Sequence, residues 1–319
     1  MGSVIDQVIT DKYALYNGDC VDVAQSIPSE SVDYSIFSPP FASLYTYSDD
    51  EKDMGNSRTY SEFFEHYKFL IKEQFRIMKA GRNISIHCMN LPTSKQNDGF
   101  IGINDFRGDL IRAYQDEGFI YHSEVCIWKC PVVAMTRTHA LGLLHSQIKK
   151  DSAMSRMGIP DYVITMRKPG ENLSPVTGEF KYYCGESPPE GFIKTEHNDG
   201  RIVYIPSDSN TSVDVWQKYA SPVWDDISQT DTLNFREGRH SDDERHICPL
   251  QLDVIERCLT MWSLENETIW TPFLGIGSEA YMSVKMGRKA IGSELKSSYF
   301  NLAKRNVEQA TKSQYEMFS

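Results

Sequence analysis

The sequence predicts an α/β fold whose sheet is assembled in permuted order around an inserted region. Three observations predict it. Residues 13–130 alternate strand-like and helix-like stretches, the pattern of a sheet with helices on both faces. From residue 131 that alternation breaks into a tract rich in Gly, Pro, Ser and Asn. A strand, glycine turn, helix, strand and acid, "TPFLGIGSEAYMSVKMGRKAIGSEL" (271–295), then appears with only residues 296–319 after it. That remainder is too short to supply the rest of a cofactor domain, so the missing strands must come from the start of the chain. The expected units are 1–130, 131–212 and 213–319.

The elements follow in order. "YALYNGDC" reads as a strand ending in Gly-Asp, and "CVDVAQSI" as a short helix. "SVDYSIFSPPF" is a buried strand stopped by two prolines, which cannot donate to a ladder. Residues 47–59 form a polar loop. In "YSEFFEHYKFLIKEQFRIMKAGR" the apolar residues Phe63, Phe64, Tyr67, Leu70, Ile71, Phe75 and Met78 recur at helical spacing, with Gly81 as the cap. "NISIHC" is a strand, "FRGDLIRAYQDEGF" a helix closed by Gly118, and "IYHSEVCIWKC" a strand. Residues 225–246 read as a loop, and "CPLQLDVIERCLTMW" as a helix with Pro249 at its start.

Composition narrows the class. The 319 residues are 40% hydrophobic and 24% charged, with no apolar run long enough to span a membrane and no basic-then-apolar leader pattern. Seven scattered cysteines without CxxC pairs read as reduced thiols in the cytoplasm, and no metal site is expected. A net charge of −11 argues by itself against a nucleic-acid partner. The stretch 134–170, however, carries +4, through Arg137, Lys149, Lys150, Arg156, Arg167 and Lys168 against two acids. That stretch, with His139, is the candidate surface for phosphates; a solvated face of the inserted region is the plainer reading.

Two turns carry the chemistry. Gly275, Gly277 and Ala280 fit G-x-G-x-x-G/A, and Glu294 ends the following strand. Glycines allow a tight turn and close approach of a ligand, and an acid at that position can hold a ribose diol. A strand–helix turn without a ligand, and a dinucleotide site, are the competing readings. Glu279 in the first helical turn would repel phosphate, which disfavours the dinucleotide. In "IFSPPF", two prolines fix a hydroxyl and an aromatic ring at the end of a strand, the sheet edge where open α/β folds bind ligands; a strand-ending turn with a buried Phe is the bland alternative.

Together these turns resemble the amino-methyltransferases that use S-adenosylmethionine to methylate exocyclic nitrogens of DNA bases. The order (catalytic half, recognition region, cofactor half) resembles their permuted β group. "NGDC" is similar to the family's adenine-contacting Gly-Asp, "RHICPLQLDVIERCL" to the helix lining the methionine end, and "SPVWDDI" to the preceding Trp-containing strand. Thr271 stands where the family usually has Asp, Ile247-Cys248 depart from the usual His signature, and "GSEA" replaces the usual run after the glycines.

The resemblance implies a catalytic turn of Ser38, Pro39, Pro40 and Phe41, and a cofactor site of Asp19, Cys20, Pro249, Phe273, Gly275, Gly277, Ser278 and Glu294. It implies a circularly permuted Rossmann-like, S-adenosylmethionine-dependent methyltransferase sheet with residues 131–212 as the target-recognition region. The Ser38 hydroxyl and Pro39 carbonyl would accept hydrogen bonds from the amine, and Phe41 would stack on a flipped base. Ser at the first position favours cytosine N4 over adenine N6. No Pro-Cys dipeptide is present for carbon-5 chemistry. Double-stranded DNA is the expected partner, together with a second protomer or a cognate restriction nuclease; a methyltransferase acting on RNA or a protein amide, and a binding module without turnover, are the alternatives.

Overall fold

In the computed structural model the two ends of the chain meet in the middle of one sheet. The structure describes residues 4–40, 59–96, 98–138, 141–176, 192–196, 202–206, 211–234 and 249–318. The strands are β1 (Asp6–Ile9), β2 (Tyr13–Asn17), β3 (Tyr34–Phe37), β4 (Asn83–Met89), β5 (Leu91–Thr93), β6 (Gly102–Asn104), β7 (Ile120–Ile127), β8 (Asp161–Arg167), β9 (Phe192–Glu196), β10 (Ile202–Pro206), β11 (Val223–Trp224), β12 (Thr268–Thr271) and β13 (Lys289–Glu294). The helices are α1 (Cys20–Ser26), α2 (Tyr60–Ile77), α3 (Phe106–Asp116), α4 (Pro131–Thr138), α5 (His145–Lys150), α6 (Thr211–Tyr219), α7 (Leu252–Trp262), α8 (Ser278–Lys285) and α9 (Ser297–Phe318).

Nine strands form the main sheet in the order β1-β2-β13-β12-β3-β4-β8-β7-β11. Neighbours from β2 through β4 are parallel, β8 is antiparallel to both β4 and β7, and β11 is parallel to β7. The chain leaves β12 toward β13 on one side and β3 toward β4 on the other. The strand order therefore reverses between β12 and β3, and it is at the carboxyl ends beside such a reversal that open α/β sheets bind their ligands.

Both faces are covered, as the alternation predicted. Helix α2 is capped by Thr59, whose hydroxyl accepts from Glu62 N, and it buries Phe63, Tyr67, Leu70, Ile71 and Ile77 along one stripe. That stripe packs with Phe106, Leu110 and Tyr114 of α3 onto Phe37, Ile84, Ile86, Cys88, Ile164 and Met166. The opposite face carries α7, with Val254, Ile255, Cys258 and Leu259 against Tyr34, Ile36, Val163 and Trp224. Helices α8 and α9 close the β2–β13 end over Leu15 and Ala290. No helix among the described residues is long and apolar enough to cross a membrane.

Four expectations need correction. Residues 161–167 lie inside the span expected to form the inserted region, yet they are β8, paired along its length with β4 and β7. Its run Tyr162–Met166 has strand-forming residues that the surrounding Gly and Pro obscured. Gly81 does not cap α2, which ends at Met78; its positive φ of 72° and the Asn172 backbone, 2.6 Å from where a Cβ would sit, explain the glycine. Pro249 is not in the first turn of α7, whose cap is Gln251. The tract 131–210 is also less irregular than expected, holding α4, α5 and the antiparallel pair β9–β10. Most of the 47–59 loop lies outside the described residues, as does all of the 225–246 loop beyond 234.

At the amino edge, Arg82 stitches the two halves of the chain together. Its Nε donates to Asp33 O at 2.8 Å, and its Nη2 pairs with Glu267 Oε2. Asp33 Oδ2 in turn accepts from Thr268 N at 2.9 Å. Removing one partner of a buried ion pair leaves the other charge without compensation. Arg82→Met is expected to lose about 3–5 kcal/mol of unfolding free energy, read from urea denaturation; a loss below about 1 kcal/mol would contradict this role.

Candidate active site

The cofactor half is built by backbone geometry. After β12, residues Pro272–Ile276 lead into Gly277, the left-handed cap of α8 (φ 92°). A Cβ on Gly277 would come 3.1 Å from Ala303 Cα, so glycine is needed for packing against α9 as well as for its φ. Gly275 also has positive φ, 53°, but a Cβ there would meet nothing within 4 Å, so this side of the turn opens onto unfilled space. Gly275 N donates to Glu294 Oε2 at 2.7 Å, and Lys296 N donates to Oε1 at 2.8 Å. A carboxylate so held still has lone pairs for a diol.

Residues from the start of the chain join this turn. Gly18 N and Asn17 Nδ2 both donate to Glu294 O, at 3.0 and 2.8 Å. Asp19 therefore sits beside Glu294, its Oδ1 capping α1 by accepting from Val21 N and Asp22 N. Cys20 is buried in the core, and burial first, then Asp19, pushes its thiol well above the ordinary range. Its side chain is thus part of the wall. Phe273 stacks on Tyr67 with ring centroids 6.3 Å apart. Ser278 is buried, and its hydroxyl has no hydrogen-bond partner among the described residues. Pro249 precedes α7 at the same sheet edge, since α7 leads down to the start of β12.

Glu279 corrects one inference. It is buried to 5% exposure, and burial raises its carboxyl to about 8. The group is mostly neutral at pH 7, so it does not repel phosphate as expected from the sequence. Glu256 of α7, equally buried, is also raised by burial to about 8.

The other turn stands on the neighbouring strand. Ser38 and Pro40 are half-buried and Pro39 is buried, directly after β3; Phe41 lies outside the described residues. Ser38 Oγ is 3.3 Å from His87 Nδ1 and donates to His87 O at 3.2 Å. His87 Nε2 faces Asp161 Oδ2 at 3.4 Å, and Asp161 Oδ1 accepts from Lys129 Nζ at 2.8 Å. Burial would raise the Asp161 carboxyl, but His87 and Lys129 outweigh it and hold it below the ordinary range. Sequence reasoning missed these three residues. A lone His inside "NISIHC" was the one signal available, because Asp161 and Lys129 reach it only through strand pairing.

The candidate cationic residues divide by sheet edge. Lys149 and Lys150 are exposed on α5, and Arg156 follows; this segment connects the end of β7 to the start of β8, at the crevice edge. The side chain of Arg137 and all of His139 lie outside the described residues. Arg167 and Lys168 are corrected. The end of β8 pairs with the start of β4, Arg167 opposite Asn83, which puts both at the opposite edge. Arg167 donates to Gly81 O and Gly170 O. Lys168 is buried and donates to Met78 O at 2.8 Å and Glu30 at 3.2 Å.

Comparison with known proteins agrees with this geometry. A family model described as DNA methylase, of N6/N4 methyltransferases, matches residues 32–305. The type II methyltransferase M.BamHI of Bacillus amyloliquefaciens is 23% identical over 90% of this chain and 55% of its own length. M.BglII of Bacillus subtilis is 22% identical over 91% of this chain and 67% of its own. The chain thus spans little more than half of the first of these relatives. Among solved structures, a DNA modification methylase of Thermus thermophilus in complex with S-adenosyl-L-methionine superposes with a TM-score of 0.61, at 18% identity over 94% of this chain and 96% of that one. The cytosine-N4-specific PvuII DNA methyltransferase also gives 0.61, at 13% identity over 99% and 96%. The fold is that of S-adenosylmethionine-dependent methyltransferases. The open side of Gly275, the Ser278 hydroxyl without a partner among the described residues, and the Glu294 carboxylate held by Gly275 N fit that cofactor.

The two glycines separate folding from binding. Gly275→Ala is expected to weaken S-adenosylmethionine binding at least about tenfold by calorimetry, with about 1–2 kcal/mol lost in stability for the left-handed residue. Gly277→Ala is expected to lose more stability than that, because Ala303 must also move. Equal binding and equal stability in both variants would contradict the assignment.

The two raised carboxyls set a pH dependence. Between the ordinary carboxylate pKa of 4.5 and about 8, the unfolded chain releases two protons that the folded chain keeps, so stability falls as pH rises. Urea midpoints of the ligand-free protein are expected to decline from about pH 6.5 to about pH 8, and Glu279→Gln is expected to flatten the decline. A flat wild-type profile would contradict it.

Proposed function

Because the chain belongs to the DNA methylase family, we propose that it transfers a methyl group from S-adenosylmethionine to an exocyclic amino group of a base in double-stranded DNA, cytosine N4 in preference to adenine N6. The observation that carries this is the position of Ser38, a hydroxyl on a proline-stiffened turn at the strand-order reversal, on the strand adjoining the cofactor turn. When bound, S-adenosylmethionine supplies an activated methyl on a sulfonium.

The work left to the protein is orientation. An exocyclic amine conjugated to its ring is a poor nucleophile. The Ser38 hydroxyl and Pro39 carbonyl accept its N–H groups, which localises the lone pair and aims it at the methyl. A base in a duplex cannot reach this crevice without leaving the stack, at a cost of a few kcal/mol. Phe41 is the proposed stacking partner. Lys149, Lys150 and Arg156, with Arg137 and His139, are the proposed phosphate contacts, since the segment that bears them leaves the same sheet edge. Target recognition is assigned to residues 131–212 other than β8.

Cytosine N4 is favoured by Ser at the first position of the turn and by the likeness in fold to a cytosine-N4-specific enzyme. The type II relatives bring a cognate restriction nuclease into the proposal. The net charge of −11 brings in a second protomer, whose cations would add to the first's. A cytoplasmic location follows from a DNA substrate.

The test is expression in a host without DNA methylases, followed by mass spectrometry of nucleosides from its DNA. N4-methylcytosine is expected, and is expected to disappear with Ser38→Ala. N6-methyladenine alone would move the assignment to adenine. Neither base, from a protein that binds S-adenosylmethionine, would turn the substrate to RNA or a protein amide.

A further inference from the structure

The chain Ser38–His87–Asp161–Lys129 runs from the catalytic turn into the sheet, and hydrogen bonding to the base does not require its last three members. We propose that His87, oriented by Asp161 and Lys129, is a positioning residue that keeps the Ser38 oxygen an acceptor and takes the proton released when the amine is methylated. This rests on the methyltransferase reading above.

The geometry assigns the protons. Asp161 Oδ2 lies 3.4 Å from Nε2, within ion-pair reach but outside hydrogen-bond geometry, and its charge favours the tautomer with the proton on that nitrogen. Nδ1 is then an acceptor, 3.3 Å from Ser38 Oγ. The hydroxyl proton points to His87, at Nδ1 or at the carbonyl oxygen 3.2 Å away, and the oxygen lone pairs are left facing the crevice. A serine with no such partner could equally donate to the base, which would withdraw its acceptor function.

The balance of the step requires an outlet. As the N–C bond forms and the S–C bond breaks, the sulfonium becomes a neutral thioether and the nitrogen takes the positive charge. The nitrogen regains neutrality by losing one proton. That proton passes to Ser38 Oγ while the hydroxyl proton moves to His87 Nδ1, leaving an imidazolium against Asp161.

The groups around His87 suit this role. Ser38 comes from the β3 turn, Asp161 from β8 and Lys129 from the end of β7. On the same face, Ser85 Oγ and Thr165 Oγ1 bond each other at 3.0 Å, and α7 packs through Val254, Ile255, Cys258 and Leu259, while its Arg257 is held by Asp226 at 2.8 Å and lies over Trp224. On the other face, Arg107 of α3 is paired with Glu124 of β7. His87 is buried, whereas Ser38 is half-buried.

The experiment measures single-turnover transfer of labelled methyl from S-adenosylmethionine to DNA from a methylase-free host, as a function of pH. The wild-type rate is expected to fall on the acid side. In His87→Gln that acid limb is expected to vanish and the rate to fall about 100-fold, with the KM for the cofactor within about twofold. Asp161→Asn removes an anion beside the imidazolium and is expected to move the limb to lower pH. Lys129→Met removes a cation and is expected to move it to higher pH. A purely structural role would not shift the limb in opposite directions, and this pair of variants decides the matter should His87→Gln fold poorly. Active wild-type protein whose His87→Gln keeps both rate and limb, or whose other two variants leave the limb in place, overturns the inference alone. Wild-type protein that binds cofactor and transfers nothing to DNA overturns the function and this role together.

Discussion

The parallel pairing of β12 with β3 is the contact on which the rest depends. It puts Ile269 beside Tyr34 and Trp270 beside Ser35, and the Ser35 hydroxyl donates across the seam to Trp270 O at 2.7 Å. At the amino edge, Asp33, Arg82, Thr268 and Glu267 close the same seam with charge. At the carboxyl edge the described residues meet through the rings of Phe37 and Phe273, 5.8 Å apart, and the candidate site lies beyond them. The residues joined are far apart in sequence, so the seam forms only once much of the chain is ordered. Contacts of such separation slow folding.

The site is a division of labour between turns that hold and groups that tune. The glycine turn is fixed by Glu294 through Gly275 N, and Glu294 is tied in turn to the Gly-Asp turn of the first half. The proline turn is fixed by its own rings, and its hydroxyl is directed by His87. Two buried acids, Glu256 and Glu279, stay protonated near neutrality at a cost to stability that rises with pH.

Much of this was legible in the sequence because it is local. Proline and glycine act on their own backbone, so Ser38-Pro39-Pro40 and Gly275 to Gly277 declare their turns without knowledge of the fold. The helical stripe of α2 is equally local. What could not be read depends on register. Strand β8 is hidden among Gly and Pro, so Arg167 and Lys168 looked like part of a cationic surface. The pairing of Arg167 with Asn83 instead carries them to the opposite edge. The same pairing brings Asp161, with Lys129, to His87. The burial of Glu279 is likewise a tertiary fact, and it weakens the repulsion argument drawn from its position in the helix.

The central claim is that two distant parts of the chain make one crevice for cofactor and base. A crystal structure with S-adenosylhomocysteine tests it most directly. The adenosine should lie between Asp19 and Glu294, and the sulfur should face Ser38 across the β12–β3 boundary. A ligand bound elsewhere, or bound with its sulfur turned away from the proline turn, would contradict the account.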